Sequence, residues 1–423
     1  MKVLLVGGGG REHTLAWKIA QSPLVEVLYA APGNPGIERH AKCLPLRADA
    51  LDDLAAFAVA ERVDLTVVGP EAPLVAGLAD RLAAHGLVVF GPSARAAALE
   101  GSKAFAKDLM ARHGVPTARF RVFDDPHAAR RHCQALGAPL VVKADGLAAG
   151  KGAIVCRTLD EADDAVAACM ERRVFGAAGA RVIVEEFLRG EEVSFFALSN
   201  GRDAIPLAAA QDHKTVFDDD RGPNTGGMGA YSPVPRVDEA GERALMETIV
   251  RPTIRALARE GAPYRGVLFV GLMLTAEGPK VVEFNCRFGD PECQAILPRA
   301  QEDLVPLLAA AARGEDLPAR TAWRPDAAVC VALASGGYPG EYRTGLPIEG
   351  IEAAESVPGV HVFHAGTARR DARLVTAGGR VLGVTAVAPE IRGAIAAAYA
   401  AIARIRFEGM HYRRDIGRKG LKI

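Results

Sequence analysis

Lys143-Ala144-Asp145-Gly146-Leu147-Ala148-Ala149-Gly150-Lys151-Gly152 lies between two strand-like apolar runs, Leu140–Ala144 and Ala153–Cys156. It has the lysine and glycines of a Walker A loop without its spacing: three residues separate Gly146 from Gly150, and Gly152 stands where Ser or Thr should follow Lys151. A glycine turn between two strands, with a lysine on the preceding strand, is another way to hold a triphosphate. The turn amides cover the β- and γ-phosphates while Lys143 neutralises charge. A hairpin with surface lysines is the alternative reading of this stretch alone. Around it, Ser102–His113 reads as a helix with Phe105 and Leu109 on one face, and Thr158 with Glu161 forms a capping box for a helix over Ala162–Met170. Arg181–Phe187 and Glu192–Leu198 read as strands. The unit is small and glycine-hinged, in the manner of a lid.

Upstream, residues 1–100 alternate strands (Lys2–Val6, Val25–Ala30, Asp64–Val68, Leu87–Phe90) with helices (Glu12–Gln21, Asp52–Ala60, Pro73–His85). This is the βαβ pattern of an α/β chain with a parallel sheet covered on both faces. Gly7-Gly8-Gly9-Gly10-Arg11-Glu12-His13 joins the first strand to its helix, and its amides, the helix N-terminus and Arg11 favour a phosphate. Glu12 and His13 break the G-x-G-x-x-G register, and the second strand runs into Ala-Ala-Pro-Gly-Asn, with no acidic ribose ligand, so NAD is disfavoured. A tight turn without a ligand is the alternative.

Downstream, Gly266–Leu274 and Lys280–Phe284 read as paired strands, and Asp218–Pro235 is a long Gly/Pro/Asn/Asp-rich loop of the functional kind. In Glu283-Phe284-Asn285-Cys286-Arg287-Phe288-Gly289-Asp290-Pro291-Glu292, strand periodicity projects Glu283, Asn285 and Arg287 to one side. Two hard oxygen donors suit Mg²⁺, and an adjacent arginine suits a transferring phosphoryl group. Cys286 points the other way, as a packing residue. Backbone around Glu186 and Leu188 suits an adenine edge and Glu192 ribose hydroxyls, although a solvated acidic strand end explains Glu185–Glu192 equally well. Gln211-Asp212-His213-Lys214 and Gly222–Pro233 suit a sugar phosphate, with His213 a structural residue. Residues 325–423 return to β-rich patterning.

With 423 residues the chain has material for two to four domains. Lys plus Arg, 51, equals Asp plus Glu, 51, which gives no support for nucleic-acid or membrane-surface binding. No apolar run is long enough to span a bilayer, and Met1–Val6 is too short for a signal peptide. Seven scattered cysteines without a C-x-x-C pair argue against a disulfide framework or zinc cluster and fit a reducing cytoplasm.

Taken together, these segments closely resemble the phosphoribosylamine–glycine ligase (glycinamide ribonucleotide synthetase) family of ATP-grasp enzymes, essentially end to end. The most specific marker is Arg287-Phe-Gly-Asp-Pro-Glu292; Gly7–Trp17, Val68–Pro73, Glu100–Lys103, Lys143–Gly152, Glu185–Leu188 and Gly222–Pro233 follow in the family's order. The resemblance implies a Rossmann-like N-terminal domain (1–100), a split ATP-grasp body (101–120 and 189–324), a hinged lid (121–188) and a C-terminal β-rich domain (325–423). It implies that Lys103, Lys143, Gly146, Gly150, Lys151 and Gly152 hold the ATP phosphates, and that Glu185, Glu186 and Leu188 frame adenine with Glu192 near ribose. Glu283 and Asn285 would bind Mg²⁺ or Mn²⁺, while Arg287, Lys143 and Asp290 serve phosphoryl transfer. Gly9, Gly10, Arg11, Glu12, Asn34, Glu71, Asp212, Lys214, Asn224, Thr225, Gly226, Gly227 and Met228 would meet 5-phosphoribosylamine. The implied partners are ATP, glycine and 5-phosphoribosylamine, with no nucleic acid or membrane, in a cytoplasmic monomer. There are two departures. Thr215 replaces a frequent arginine and receives no role. The strand before Glu283 reads Gly271-Leu-Met-Leu274, without the acidic metal ligand common in other ATP-grasp enzymes. A sister ATP-grasp ligase, an NAD(P) oxidoreductase and a non-catalytic nucleotide module are the competing readings.

Overall fold

The computed structural model describes residues 1–148 and 151–421. The N-terminal apolar runs form a five-stranded parallel sheet in the order Lys42–Cys43, Val27–Pro32, Lys2–Gly7, Leu65–Val68, Val89–Phe90. Val3–Val6 are fully buried because helices cover both faces of the sheet. The segment expected as a single helix over Pro73–His85 is two, Glu71–Val75 and Leu78–Ala84. Gly77 separates them at φ +91°, a left-handed conformation that glycine adopts without a Cβ clash.

The glycine-hinged unit is a four-stranded antiparallel sheet ordered Phe120–Phe123, Val182–Glu186, Leu140–Ala144, Ala153–Cys156. Helices Pro126–Leu136 and Leu159–Val166 pack on it around a small core of its own, including Leu140, Val142, Ala162 and Val184. Thr158 caps the second helix as expected, its hydroxyl accepting from the Glu161 amide. A second four-stranded antiparallel sheet runs Ala204–Pro206, Glu191–Asn200, Arg265–Thr275, Gly278–Asn285.

The C-terminal sheet is ordered Gln211–Asp212, Gly229–Ser232, Ala327–Ala334, Arg380–Ala388, Val360–His364. Its first two strands come from before residue 235, the second of them from the long central loop, and cross the boundary expected near residue 324. Gly229–Ser232 pairs antiparallel with Val331–Ala328, which supplies partners to the backbone of a completely buried strand. Thr215, left without a role, accepts a hydrogen bond from the buried Arg413. All seven cysteines are free. Among the described residues, no helix is long and apolar enough to cross a membrane.

Candidate active site

A cleft of about 560 Å³ opens between the Phe120–Glu186 sheet, expected as a lid, and the second antiparallel sheet, with the C-terminal part at its rim. Its floor is the strand Gly278–Asn285. Glu283, Asn285 and Arg287 all line it, whereas Cys286 turns into the core and donates its amide to Glu100. Burial raises the pKa of Glu283, but Lys214, Lys143, Lys103 and Arg287 more than reverse this and hold the carboxylate ionised. Each of these cations has its own closer partners. Beside it the Asn285 amide is buried with its nitrogen unpartnered, so this side chain is free to turn its oxygen toward a cation.

The position directly across from Glu283 in the ladder is Gly271, whose added Cβ would stand 3.3 Å from Glu283 Cγ. No group of three or more His, Cys, Asp or Glu able to hold a metal exists among the described residues. Two oxygen donors without a third fit a divalent ion that completes its shell with phosphate oxygens and water.

Arg287 is fixed by two carboxylates. Its Nε donates to Glu71 at 3.1 Å, its Nη2 to Glu100 at 2.9 Å, and its Nη1 to the Phe288 carbonyl at 3.3 Å. Burial opposes the charge, yet Glu100 and Glu71 raise the pKa above the ordinary arginine value. Three of its five N–H donors are engaged, so two remain for an incoming oxyanion.

On the lid side, Glu185 Oε2 receives both Lys143 and Lys107, each at 3.0 Å. Glu185 Oε1 is buried without a partner, an acceptor available to an amino group. Lys143 also donates to the Val282 carbonyl, and burial lowers the Lys107 pKa to about 8 despite Glu185. Glu186 is tied to Arg119 at the rim, and Leu188 lines the cleft. Lys103 donates to the Gly146 carbonyl at 2.8 Å, and Gly146 and Gly152 line the cleft. Lys151 is exposed and reaches instead to the Pro339 carbonyl. Gly150 lies outside the described residues.

On the opposite wall, Lys214 bridges Glu192 at 3.0 Å and Asp212 at 3.4 Å. Glu192 thus stands beside Lys214. Glu292 adds a buried carboxyl here: its Oε1 accepts from Ser194, and its Oε2 fills the space a Cβ on Gly289 would occupy. Burial and the charge of Asp212 push its pKa up to about 7. Asn224, Thr225 and Gly226 line the same wall. Gly227 and Met228 do not; Met228 is buried against Val216 and Ala334. His213 is a core residue as expected, its Nδ1 on the Gly229 carbonyl.

The N-terminal turn is arranged differently from expectation. Glu12 accepts from the Gly9 amide at 2.7 Å and from Arg11 Nε at 2.5 Å, and Asp290 accepts from the Arg11 amide at 3.2 Å. Carboxylates of the chain itself therefore fill the helix N-terminus, and of Gly9, Gly10, Arg11 and Glu12 only Arg11 lines the cleft. Asp290, expected at the reacting centre, lines the cleft, and its other oxygen accepts from Gln294. Asn34 donates to the Gly8 and His364 carbonyls and accepts from the Gly36 and Ile37 amides. Its full hydrogen-bonding capacity is engaged within the chain, which leaves nothing to offer a substrate.

Sequence reasoning missed Lys107, Glu292, Tyr338 and Arg380, all of which line the cleft. Glu292 carried a signal, since Gly289 precedes it at turn spacing. Tyr338 and Arg380 carried none.

A lysine-bearing lid strand, a glycine turn and a facing Glu-x-Asn strand around one cleft define the ATP-grasp class. Residues 1–100, 101–293 and 328–419 match the N, ATP-grasp (A) and C domains, respectively, of phosphoribosylglycinamide synthetase. The phosphoribosylamine–glycine ligase of Rhizobium meliloti is 53% identical over 417 residues, covering 99% of this chain and 98% of the relative. The crystal structure of the Thermotoga maritima phosphoribosylamine–glycine ligase superposes with a TM-score of 0.86 at 33% identity, covering 98% of this chain and 100% of that one. The biotin carboxylase domain of Hydrogenobacter thermophilus 2-oxoglutarate carboxylase shares the fold, with a TM-score of 0.75 at 17% identity over 97% of this chain and 91% of that one. The chain belongs to the phosphoribosylglycinamide synthetase family.

Proposed function

We propose that the chain joins glycine to 5-phosphoribosylamine at the expense of ATP, giving glycinamide ribonucleotide, ADP and phosphate in purine synthesis. What carries this reading is a single cleft containing Lys103, Lys143, Glu283, Asn285 and Arg287, in a chain that matches ligases of that name over nearly its whole length. The division into a Rossmann-like part (1–100), an ATP-grasp body (101–120 and 189–324), a lid (121–188) and a β-rich part (325–423) belongs to the same proposal. So do action as a cytoplasmic monomer and the restriction of partners to small molecules.

A carboxylate is a poor electrophile because its charge is delocalised. Transfer of the γ-phosphoryl group of ATP to a glycine carboxylate oxygen forms an O–P bond, breaks the β–γ bridge and releases ADP. The amine of phosphoribosylamine then attacks the acyl carbon, phosphate leaves with the C–O bonding pair, and the amine loses its proton. Lys143 and Lys103 neutralise the phosphates, and Arg287 offers its two free donors to the transferring group. Glu283 and Asn285 would hold Mg²⁺ or Mn²⁺, which lowers the charge repulsion between attacking carboxylate and phosphate. Glu185 and Leu188 frame adenine, and Asp212, Lys214 and Asn224–Gly226 face the phosphosugar. The lid excludes water from the acyl phosphate.

The test is ADP release with Mg²⁺-ATP, glycine and freshly generated 5-phosphoribosylamine, omitting each in turn. The expected result is release that requires all three, with one ribonucleotide formed per ADP. Release with another acid or amine instead would move the chain to a sister ligase.

A further inference from the structure

Gly226 and Gly227 form the turn at the phosphosugar wall, and two adjacent glycines have more backbone freedom to lose than any other pair. Within the turn the Gly227 amide donates to the Thr225 hydroxyl at 2.9 Å. Two side chains from the C-terminal part hold the Gly226 peptide groups. Tyr338 follows the strand Ala327–Ala334, and its hydroxyl accepts from the Gly226 amide at 3.2 Å. Arg380 begins the strand Arg380–Ala388, and its Nη1 donates to the Gly226 carbonyl at 2.8 Å. Both backbone polar groups of one glycine are therefore engaged from across the cleft rim.

The same guanidinium extends the grip. Its Nη1 lies 3.1 Å from the Gly227 carbonyl and 2.6 Å from that of Asp290, and its Nη2 is 3.4 Å from Asp290 Oδ1. The surroundings are built for both groups. A Cβ on Gly226 would stand 3.2 Å from Arg380 Cζ, and one on Gly379 would collide with the Tyr338 ring. Ser335 in turn fixes the Gly378 and Gly379 carbonyls through its hydroxyl and its amide. Thr225 ties the turn to the Lys214 carbonyl, away from the lid lysines and Glu185.

We propose that Arg380 and Tyr338 are positioning residues that clasp the Thr225–Gly227 turn onto Asp290 and thereby shape the phosphoribosyl site. The clasp rests on the function proposed above. A lysine at 380 keeps the charge but has a single nitrogen, and so cannot meet the carbonyls as Nη1 does while also reaching Asp290 Oδ1 as Nη2 does.

Arg380→Lys and Tyr338→Phe test it, the latter removing a single oxygen. Calorimetric titration with glycinamide ribonucleotide and, separately, with a non-hydrolysable ATP analogue in Mg²⁺ reads each affinity without turnover. Arg380→Lys is expected to weaken ribonucleotide binding, and raise KM for phosphoribosylamine, by about tenfold, and Tyr338→Phe by about threefold, with ATP affinity changing by less than about twofold. A purely structural role would lower thermal stability and weaken both ligands equally, which overturns the proposal. Unaltered ribonucleotide affinity in both variants, with a wild type that binds it, overturns the clasp alone. A wild type that binds no ribonucleotide overturns both the clasp and the function it rests on.

Discussion

Two glycine turns in this chain look alike as text and differ in what their residues face. At Gly7–Glu12, the Gly9 and Arg11 amides already donate to Glu12 and Asp290. At Lys143–Gly152, the described residues Gly146, Leu147, Ala148 and Gly152 line the cleft, and Lys103 holds the Gly146 carbonyl. A glycine run at a strand end is a site for an outside anion only where no carboxylate of the same chain already caps it. The first turn is thereby tied to Asp290 within the chain, and the second lines the cleft.

The sharpest way to separate the two is to disable the floor that the second turn faces. Glu283→Gln is expected to lower kcat for ADP release about a thousandfold while leaving the fold intact. Turnover at the wild-type rate would place the reacting centre elsewhere. Next in size, Glu12→Gln removes the partner of the buried Arg11, and urea denaturation should register a loss of about 3 kcal/mol with KM for ATP and phosphoribosylamine little changed. Loss of substrate affinity at full stability would instead make the first turn a ligand site.

A smaller effect is expected from pH at the wall between the turns. The folded chain keeps the Glu292 proton up to about pH 7, whereas an unfolded carboxyl releases it near 4.5. More protons are then bound folded than unfolded, so this group's contribution to stability declines as pH rises through that window. Glu292→Gln should flatten the decline by on the order of 2 kcal/mol when urea midpoints at about pH 5 and about pH 8 are compared. The smallest change concerns the second turn itself. Gly146 sits at φ +136°, and an added Cβ would lie 2.9 Å from that of Ala178. Gly146→Ala should raise KM for ATP about tenfold, and an unmoved KM would show that this turn does not cover the nucleotide.

Much of this was legible in the sequence. The N-terminal strands announced themselves as apolar runs because a parallel sheet buries both faces, and Glu283, Asn285 and Arg287 fell on one side by strand periodicity alone. Periodicity did not show that Glu12 folds back on Gly9, because a capping glutamate and a ligand-binding one are the same letter. Nor did it show that Asn34 is fully engaged within the chain, since His364, one of its partners, lies 330 residues away. Tyr338 and Arg380 reach the cleft only through sheet order, which no local pattern encodes.

That sheet order also bears on how the protein can be taken apart. Gly229–Ser232 has the strand Ala327–Ala334 as its ladder partner, and Gln211–Asp212 pairs with it in turn. Cutting the chain near residue 324 and discarding the tail would strip that ladder from the strand that follows the cleft-lining Asn224–Gly226. The C-terminal part is thus no detachable appendage, and two fragments would regain a working cleft only by zipping this ladder back together.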